Sequence, residues 1–192
     1  PQTATAWMNL GNMYRELSMM PQAGDAYEHA LGIYRRLSES NHEVYDLQLA
    51  DVLNNCGMYY EAIAQSNAAE KAYLQSLAIR RRGSNSNPGL LPTLGQVLIN
   101  LGRLHLAMNR LDTAAAELDE GTAIFQKLST TESSVFSLEL AWAMLNKGSL
   151  DERTGQLIQA ETSFQYSEHV FRQLASLNPS HQLSLAKVRL QQ

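Results

Sequence analysis

Apolar side chains recur three and four residues apart along almost the whole chain, and β-branched residues are few, which predicts helices rather than strands. Stretches rich in Ser, Asn, Pro and Gly interrupt this pattern and are typical of loops, at residues 38–42, 83–89, 129–134 and 178–180. A weaker break falls within each interval, at residues 18–21, 65–67, 108–110 and 154–156. Each interval therefore predicts a helix A, a tight turn, a helix B and a loop.

A short Asn-x-Gly phrase recurs in helix A of every interval. Its four copies are Asn9-Leu10-Gly11, Asn55-Cys56-Gly57, Asn100-Leu101-Gly102 and Asn146-Lys147-Gly148. The glycines follow one another at intervals of 45 or 46 residues. A fixed period of this size is typical of stacked supersecondary units, so the chain predicts a repeat protein rather than one closed core.

Other positions repeat when the intervals are aligned on their glycines. Alanine stands twelve residues after each glycine, as Ala23, Ala69, Ala114 and Ala160. A large apolar side chain stands sixteen residues after it, as Tyr27, Tyr73, Leu118 and Phe164. Small residues let two helices approach closely and large residues fill the space beside them, so these positions predict the packed faces of helix A and helix B.

The residues of the first interval resemble a known family. Trp7-x2-Leu10-Gly11-x2-Tyr14, followed by Ala23-x3-Tyr27-x2-Ala30, is similar to the tetratricopeptide repeat (TPR) pattern. The units exceed the usual length of ~34 residues, and in this they are similar to the repeats of kinesin light chains and of many bacterial TPR arrays. The resemblance implies an all-α fold, a right-handed superhelical α-solenoid of helix-turn-helix repeats.

We expect a single array over residues 1–192, with repeats at about 4–45, 50–90, 95–137 and 141–180 and a partial fifth helix at 183–192. The chain starts without Met and stops within a helical pattern, which favours a fragment of a longer protein. The fourth repeat departs most, because Lys147 and Asp151 occupy positions that are apolar or aromatic elsewhere. Their i, i+4 spacing lets them pair, but it leaves the register of this helix open.

The repeated asparagine has no packing reason that the helical wheel reveals. It lies about 160° from the glycine, opposite the packed arc, and Asn is a mediocre helix former. In TPR arrays helix A lines the concave face, so the resemblance implies that these amides line a groove. An amide both donates and accepts, so a row of amides could hold the main chain of an extended peptide. Alternatively the amides bond to the neighbouring helix A and set the repeat spacing, and both roles can hold together.

Residues beside the asparagines complete the expected site. The position after each glycine lies on the same arc, and an exposed Trp six residues before the fourth glycine would anchor a ligand well. Equally, this Trp could fill the gap left by the polar Lys147 and Asp151. The expected peptide-binding residues are Asn9, Asn12, Asn55, Met58, Asn100, Arg103, Trp142 and Asn146.

Composition narrows the function classes. The chain is 44% hydrophobic and 18% charged with a net charge of −4, which argues against a nucleic-acid partner. No apolar run approaches the ~20 residues that span a bilayer, and no signal peptide is present, so we expect no membrane partner and a cytoplasmic setting. The single Cys56 stands in a leucine position and predicts a buried structural thiol, and His105 replaces a packing Tyr and predicts a core histidine.

Signals for chemistry are weak. Arg80-Arg81-Arg82 is expected to end a helix B before a Gly83 cap, where cations complement the helix dipole. The five histidines have no metal-ligand spacing, and there is no phosphate loop, catalytic triad or paired-carboxylate motif. We therefore expect no enzyme, no catalytic residues, no cofactor and no metal.

The leading hypothesis is a protein–protein interaction module that binds an extended peptide or partner segment in its concave groove. The alternative is a structural scaffold or sensor segment of a larger multidomain protein, which self-associates through uncapped ends.

Overall fold

The computed structural model describes residues 1–131 and 136–177, and every regular element in that part of the chain is helical. Its α-helices are α1 (Gln2–Glu16), α2 (Met20–Ser40), α3 (His42–Ala62), α4 (Ser66–Ser86), α5 (Leu91–Ala107), α6 (Leu111–Thr131), α7 (Ser137–Arg153) and α8 (Leu157–Leu177), with a 3₁₀ turn at Pro88–Leu90. They pair as α1/α2, α3/α4, α5/α6 and α7/α8. The expected all-α helical-repeat fold is confirmed, whereas the expected fifth helix at 183–192 lies outside the described residues.

Contacts between Cα atoms divide the chain into two compact units, Pro1–Leu90 and Leu91–Gln192. In the first unit α3 packs on α2 and lies beside α1, and in the second unit α7 packs on α6 and lies beside α5. The single array with four repeat boundaries stays a prediction. None of the α-helices among the described residues combines the length and apolarity needed to cross a bilayer.

The repeated glycine lets helix A and helix B of each pair touch. A Cβ added to Gly11 or Gly148 would lie 2.7 Å from the ring of Tyr27 or Phe164, and Gly102 is as close to the side chain of Leu118. Gly57 faces Tyr73 in the same way. The large side chain of each helix B therefore occupies the space that any other residue at the glycine position would need.

A second close approach lies two turns before the glycine. The residue seven positions before it is small in every pair: Ala4, Ala50, Gly95 and Ala141. Ser76 Oγ donates a hydrogen bond to the carbonyl of Ala50 at 2.7 Å, and Ser167 Oγ donates to Ala141 O at 2.8 Å. Each buried hydroxyl thus joins helix B to the main chain of helix A, which satisfies its own hydrogen-bonding needs inside the core.

The same turn joins helix A to helix B in all four pairs. The residue seven positions after the glycine has a positive φ: Ser18 (59°), Ala64 (58°), Asn109 (59°) and Gly155 (77°). In the second pair Ala64 N–H donates to Glu61 O at 2.9 Å, and Gln65 N–H donates to Tyr60 O at 2.8 Å. These two bonds form a Schellman motif, in which a left-handed residue ends the helix. A Cβ at this position is strained, and only the fourth turn avoids it with glycine.

The arginine cluster does not end a helix, so the Gly83 cap is wrong. Helix α4 runs through Gly83 to Ser86, and its C-cap is Asn87. A Cβ at Gly83 would lie 2.9 Å from the side chain of Leu90, so the glycine makes room for the 3₁₀ turn. Arg80 is only 5% exposed and lies in the core of its pair.

The other core predictions are confirmed. Cys56 is buried, and burial raises the pKa of its thiol to about 12, which keeps it protonated and unreactive. His105 is buried with its Nδ1 atom 2.6 Å from Glu117 Oε2.

The fourth pair keeps the register of the others, because Gly148 faces Phe164. Its two unusual polar residues pair as expected, with Lys147 Nζ 2.8 Å from Asp151 Oδ1 and 3.2 Å from Asp119 Oδ1. Burial by itself lowers the pKa of Lys147, but the hydrogen bonds to Asp151 and Asp119 outweigh it and the pKa is raised. The lysine charge is thereby held at a position where other pairs place apolar residues.

The strain in the turns can be tested with two substitutions that should change stability in opposite directions. Ala64→Gly should raise the free energy of unfolding by about 1 kcal/mol, because it relieves a left-handed Cβ, and Gly155→Ala should lower it by a similar amount. No atom lies within 4 Å of a Cβ at Gly155, so the effect is one of backbone strain alone. Urea denaturation measures both changes.

Gly32→Ala is the matched control, because Gly32 also faces open space but lies within helix α2. It should raise stability by about 0.5–1 kcal/mol. If Gly155→Ala and Gly32→Ala change stability in the same direction, the strain argument is wrong.

Candidate functional site

The four repeated asparagines lie at equivalent positions but in two different environments. On α1 and α3, Asn9 is exposed and Asn55 is half-buried. Within residues 1–131 and 136–177, neither of these side-chain amides has a hydrogen-bond partner. Both amides therefore keep their donors and acceptor for water or a ligand.

The asparagines of the second unit are engaged by their own helices. Asn100 is only 8% exposed, and its Oδ1 accepts a hydrogen bond from Gln96 Nε2 at 3.3 Å. Asn146 is half-buried, and its Nδ2 donates to Trp142 O at 2.7 Å. In both cases this partner lies one helical turn earlier on the same helix.

The neighbours of Asn9 and Asn55 combine packing with open polar groups. Asn12 is half-buried, and its Oδ1 accepts a hydrogen bond from Tyr27 OH at 2.7 Å, which leaves its two N–H groups as donors. Met58 is half-buried, with its sulfur 3.8 Å from Asn54 Nδ2. We call the set of Asn9, Asn12, Asn55 and Met58 on α1 and α3 the amide face.

The two remaining expected site residues lie in the second unit. Arg103 is exposed on α5. Trp142 is half-buried, and its ring meets the ring of Phe171 edge-on at a centroid distance of 4.9 Å. Of the two roles considered for Trp142, packing within its own helix pair describes this contact.

Trp142 belongs to a set of paired positions that sequence reasoning missed. In the first, second and fourth pairs the residue six before the glycine meets the residue twenty-three after it, and the chemistry of the two changes together. Thr5 Oγ1 lies 2.7 Å from Tyr34 OH, and the guanidinium of Arg80 donates to Asp51 Oδ1. The signal was present in the sequence as matched changes at two spacings, but each position on its own shows no common residue type.

A cluster of Ser38, His42 and Asp46 carries the residue types of a hydrolytic triad. The geometry does not serve catalysis, because the Ser38 hydroxyl donates to Asp46, and the same His42 Nδ1 atom lies near both, at 3.2 Å and 3.0 Å. Burial by itself raises the pKa of Asp46, but the hydrogen bonds from Ser38 and His42 outweigh it and the pKa is lowered. With Arg82 3.3 Å from the same carboxylate, the cluster joins α2, α3 and α4.

Metal chemistry has no site in the part of the chain that the structure describes. No group of three or more His, Cys, Asp or Glu side chains there could hold an ion.

Comparison with known proteins bears on the family and the fold of the chain. Residues 2–82 match the tetratricopeptide repeat family, which confirms the predicted resemblance. Such repeats generally mediate protein–protein interactions and are typically non-enzymatic. No curated protein sequence matches the chain.

Two solved structures extend the likeness beyond the matched residues. BtubC (BKLC) from P. vanneervenii is 21% identical with a TM-score of 0.72, over 89% of this chain and 64% of BtubC. The present chain thus spans less than two thirds of that protein. A candidate kinesin light chain of Podosopora anserina with nearly identical TPR-like repeats is 18% identical with a TM-score of 0.57, over 97% of this chain and 93% of that one. At these identities the likeness shows the fold alone.

The coupling of the paired positions can be tested by replacing the Asp51–Arg80 pair with the residue types of the Thr5–Tyr34 pair. Asp51→Thr should lower the free energy of unfolding by roughly 2 kcal/mol, because Arg80 is buried and loses its carboxylate; the half-exposed Asp51 side chain keeps the loss below that of a fully buried pair. Adding Arg80→Tyr recreates the Thr5–Tyr34 pair and should recover most of the loss. Chemical denaturation measures both variants.

Asp25→Ala is the control, because this exposed carboxylate on α2 makes no hydrogen bond or ion pair within the described ranges, and the change should alter stability by less than about 0.5 kcal/mol. A double variant no more stable than Asp51→Thr alone would show that the two positions are not coupled.

Proposed function

We propose that this chain is a protein–protein interaction module whose amide face binds an extended peptide segment of a partner protein. Asn9 and Asn55 bond to the peptide main chain, one from each of two adjacent helices. The observation that carries the proposal is the pair of equivalent amides on α1 and α3 that have no partner among the described residues.

The packing of each helix supports a fixed placement of these amides. Each asparagine stands two residues before a glycine that is in contact with an aromatic ring, Gly11 with Tyr27 and Gly57 with Tyr73. The opposite side of the helix is therefore held in place by the core. A preorganised amide loses less conformational entropy on binding than one on a mobile loop.

The chemistry of the amide suits a main chain better than a particular side chain. One Asn side chain can accept from a peptide N–H and donate to a peptide C=O, which every sequence offers. Each bond adds only about 1 kcal/mol net, so the two amides give modest affinity by themselves. Asn12 offers two further donors, and the half-buried Met58 offers an adaptable apolar contact.

The corresponding amides of the second unit stand outside this contact set. Asn100 and Asn146 bond to Gln96 and to the main chain of Trp142, and a ligand would have to displace those bonds. Their role in the proposal is to stabilise their own helices. Arg103 is exposed on α5 of the second unit and is not part of the proposed contact set.

The test uses peptides selected from a phage-displayed library of random linear peptides on the intact chain. The double variant Asn9→Ala, Asn55→Ala should weaken the binding of selected peptides by roughly tenfold or more, since two or more hydrogen bonds of about 1 kcal/mol are lost. Isothermal titration calorimetry measures the affinity, and circular dichroism confirms that the helices are retained.

The matched control is Asn67→Ala, Asn85→Ala, which removes two exposed amides from α4 without touching the amide face. Its affinity for the same peptides should equal that of the original chain. Replacing a peptide N–H by an ester oxygen at one bound position should weaken binding to the original chain but not to the double variant. Unchanged affinity in the double variant would refute recognition through these amides.

A second candidate function is scaffolding by self-association, which one observation favours. Met13 and Leu17 near the end of α1 are 47% and 62% exposed, and Met19 in the following turn is 38% exposed. Adjacent exposed apolar side chains mark interaction surfaces. Such a surface on a repeat protein suits contact between copies.

Sedimentation velocity across a range of concentrations tests this candidate. Association through this surface should be weakened by Leu17→Gln and kept by Leu74→Gln, which removes a comparable exposed leucine from α4. A chain that stays monomeric at high concentration, or equal association in both variants, would rule this surface out.

A further inference from the structure

Helix α1 exposes an apolar stripe near its end. The stripe consists of Leu10, Met13 and Leu17, which are spaced three and four residues apart and therefore share one side of the helix. Leu10 is half-buried, whereas Met13 and Leu17 are 47% and 62% exposed. Neighbouring apolar side chains that stay open to solvent mark a surface on which something packs.

The later A helices show what covers the equivalent stripe. On α7 the residue at the Met13 position is Leu150, which is only 2% exposed and belongs to one core with Leu118 of α6. On α3 it is Tyr59, whose ring lies 5.8 Å from the ring of Tyr27 on α2. Within each unit, this side of a helix A therefore packs on the helix B of the preceding pair.

Helix α8 offers a surface of the same composition as the one that α7 covers on α6. A groove of about 450 Å³ lies on the pair α7/α8, and its apolar residues are Leu157, Ala160 and Phe164. The equivalent positions of α6, which pack in one core with α7, carry Leu111, Ala114 and Leu118. Leu157 is 66% exposed, so this surface is open within the described part of the chain.

We propose that copies of this chain associate head to tail, with α1 of one copy packed on α8 of another in the way that α7 packs on α6. Met13 of one copy contacts Leu157 and Phe164 of the other. The inference rests on the self-association put forward as the second candidate function, and it assigns the surface that receives α1. It does not depend on peptide binding by the amide face.

One residue of the groove opposes this contact and sets its strength. Glu161 stands where α6 has Ala115 and α2 has Gly24, and its carboxylate accepts a hydrogen bond from Gln165 at 3.0 Å. A Cβ at Gly24 would collide with the Tyr59 hydroxyl, so a covering helix comes close to this position. Since desolvation of a carboxylate is unfavourable, the contact between copies should be weaker than the packing of α7 on α6.

Complementary variants test the contact, because it joins two different surfaces and each copy carries one of each. Met13→Gln alters α1, and Leu157→Gln alters the groove. Each variant alone should self-associate roughly tenfold more weakly than the original chain in sedimentation velocity, since an apolar side chain is lost from the contact. Both side chains are exposed, and circular dichroism should show unchanged helix content.

Mixing the two variants in equal amounts should restore association. The Leu157→Gln copy keeps an intact α1, and the Met13→Gln copy keeps an intact groove, so one original contact can form between them. A symmetric contact of α1 with α1 predicts no such recovery.

Two further substitutions separate the groove from its surroundings. Ile158→Gln should leave association unchanged, because Ile158 is 79% exposed but does not line the groove. Glu161→Ala should strengthen association severalfold, because it introduces the residue type of Ala115 and removes the carboxylate. Glu39→Ala, which removes an exposed carboxylate from α2, should have no effect.

The outcomes distinguish this proposal from the functions on which it builds. Association that Met13→Gln weakens and Leu157→Gln leaves unchanged would keep self-association through α1 but refute its packing on α8. The same holds if the mixed variants fail to associate. A chain that stays monomeric at the highest concentration would overturn both, whereas peptide binding by the amide face is measured separately and stands or falls on its own variants.

Discussion

The contact between a glycine on one helix and a large side chain on the next is the constraint on which the rest of the molecule depends. Gly11, Gly57, Gly102 and Gly148 each leave room for the residue sixteen positions later. That contact fixes the rotation of helix A, and rotation decides which side of the helix faces solvent. The amides of Asn9 and Asn55 are available because the core holds the opposite side of their helices.

Much of the fold could be predicted because its determinants are identical or similar at a fixed spacing. The glycine, the alanine and the large residue of helix B repeat, and each has one simple packing role. The contact of Arg80 with Asp51 could not be predicted in this way, since a buried arginine at the end of an apparent charge run resembles a solvated one until its partner on another helix is known. The register of α7 was open for a related reason: Lys147 and Asp151 satisfy each other and Asp119, a contact that helical periodicity does not reveal.

The places of the four asparagines on their helices could be predicted from the sequence, but their burial and hydrogen bonds could not. The helical wheel places all four asparagines opposite the packed arc, yet Asn100 is buried and Asn146 is bonded to its own helix. What separates them from Asn9 and Asn55 is the local surroundings one turn away, such as Gln96, which no repeat pattern specifies.

The matched residues that join helix A to helix B have a consequence for how a repetitive chain reaches its native state. Repeats of equal length invite helices to exchange partners during folding, a common failure of such proteins. If α4 paired with α1, Arg80 would meet Thr5 and its buried guanidinium would have no carboxylate; if α2 paired with α3, Asp51 would face Tyr34. Unpaired buried charge is unfavourable. Each of these two residue pairs therefore favours the native pairing of its helices and disfavours the exchanged one.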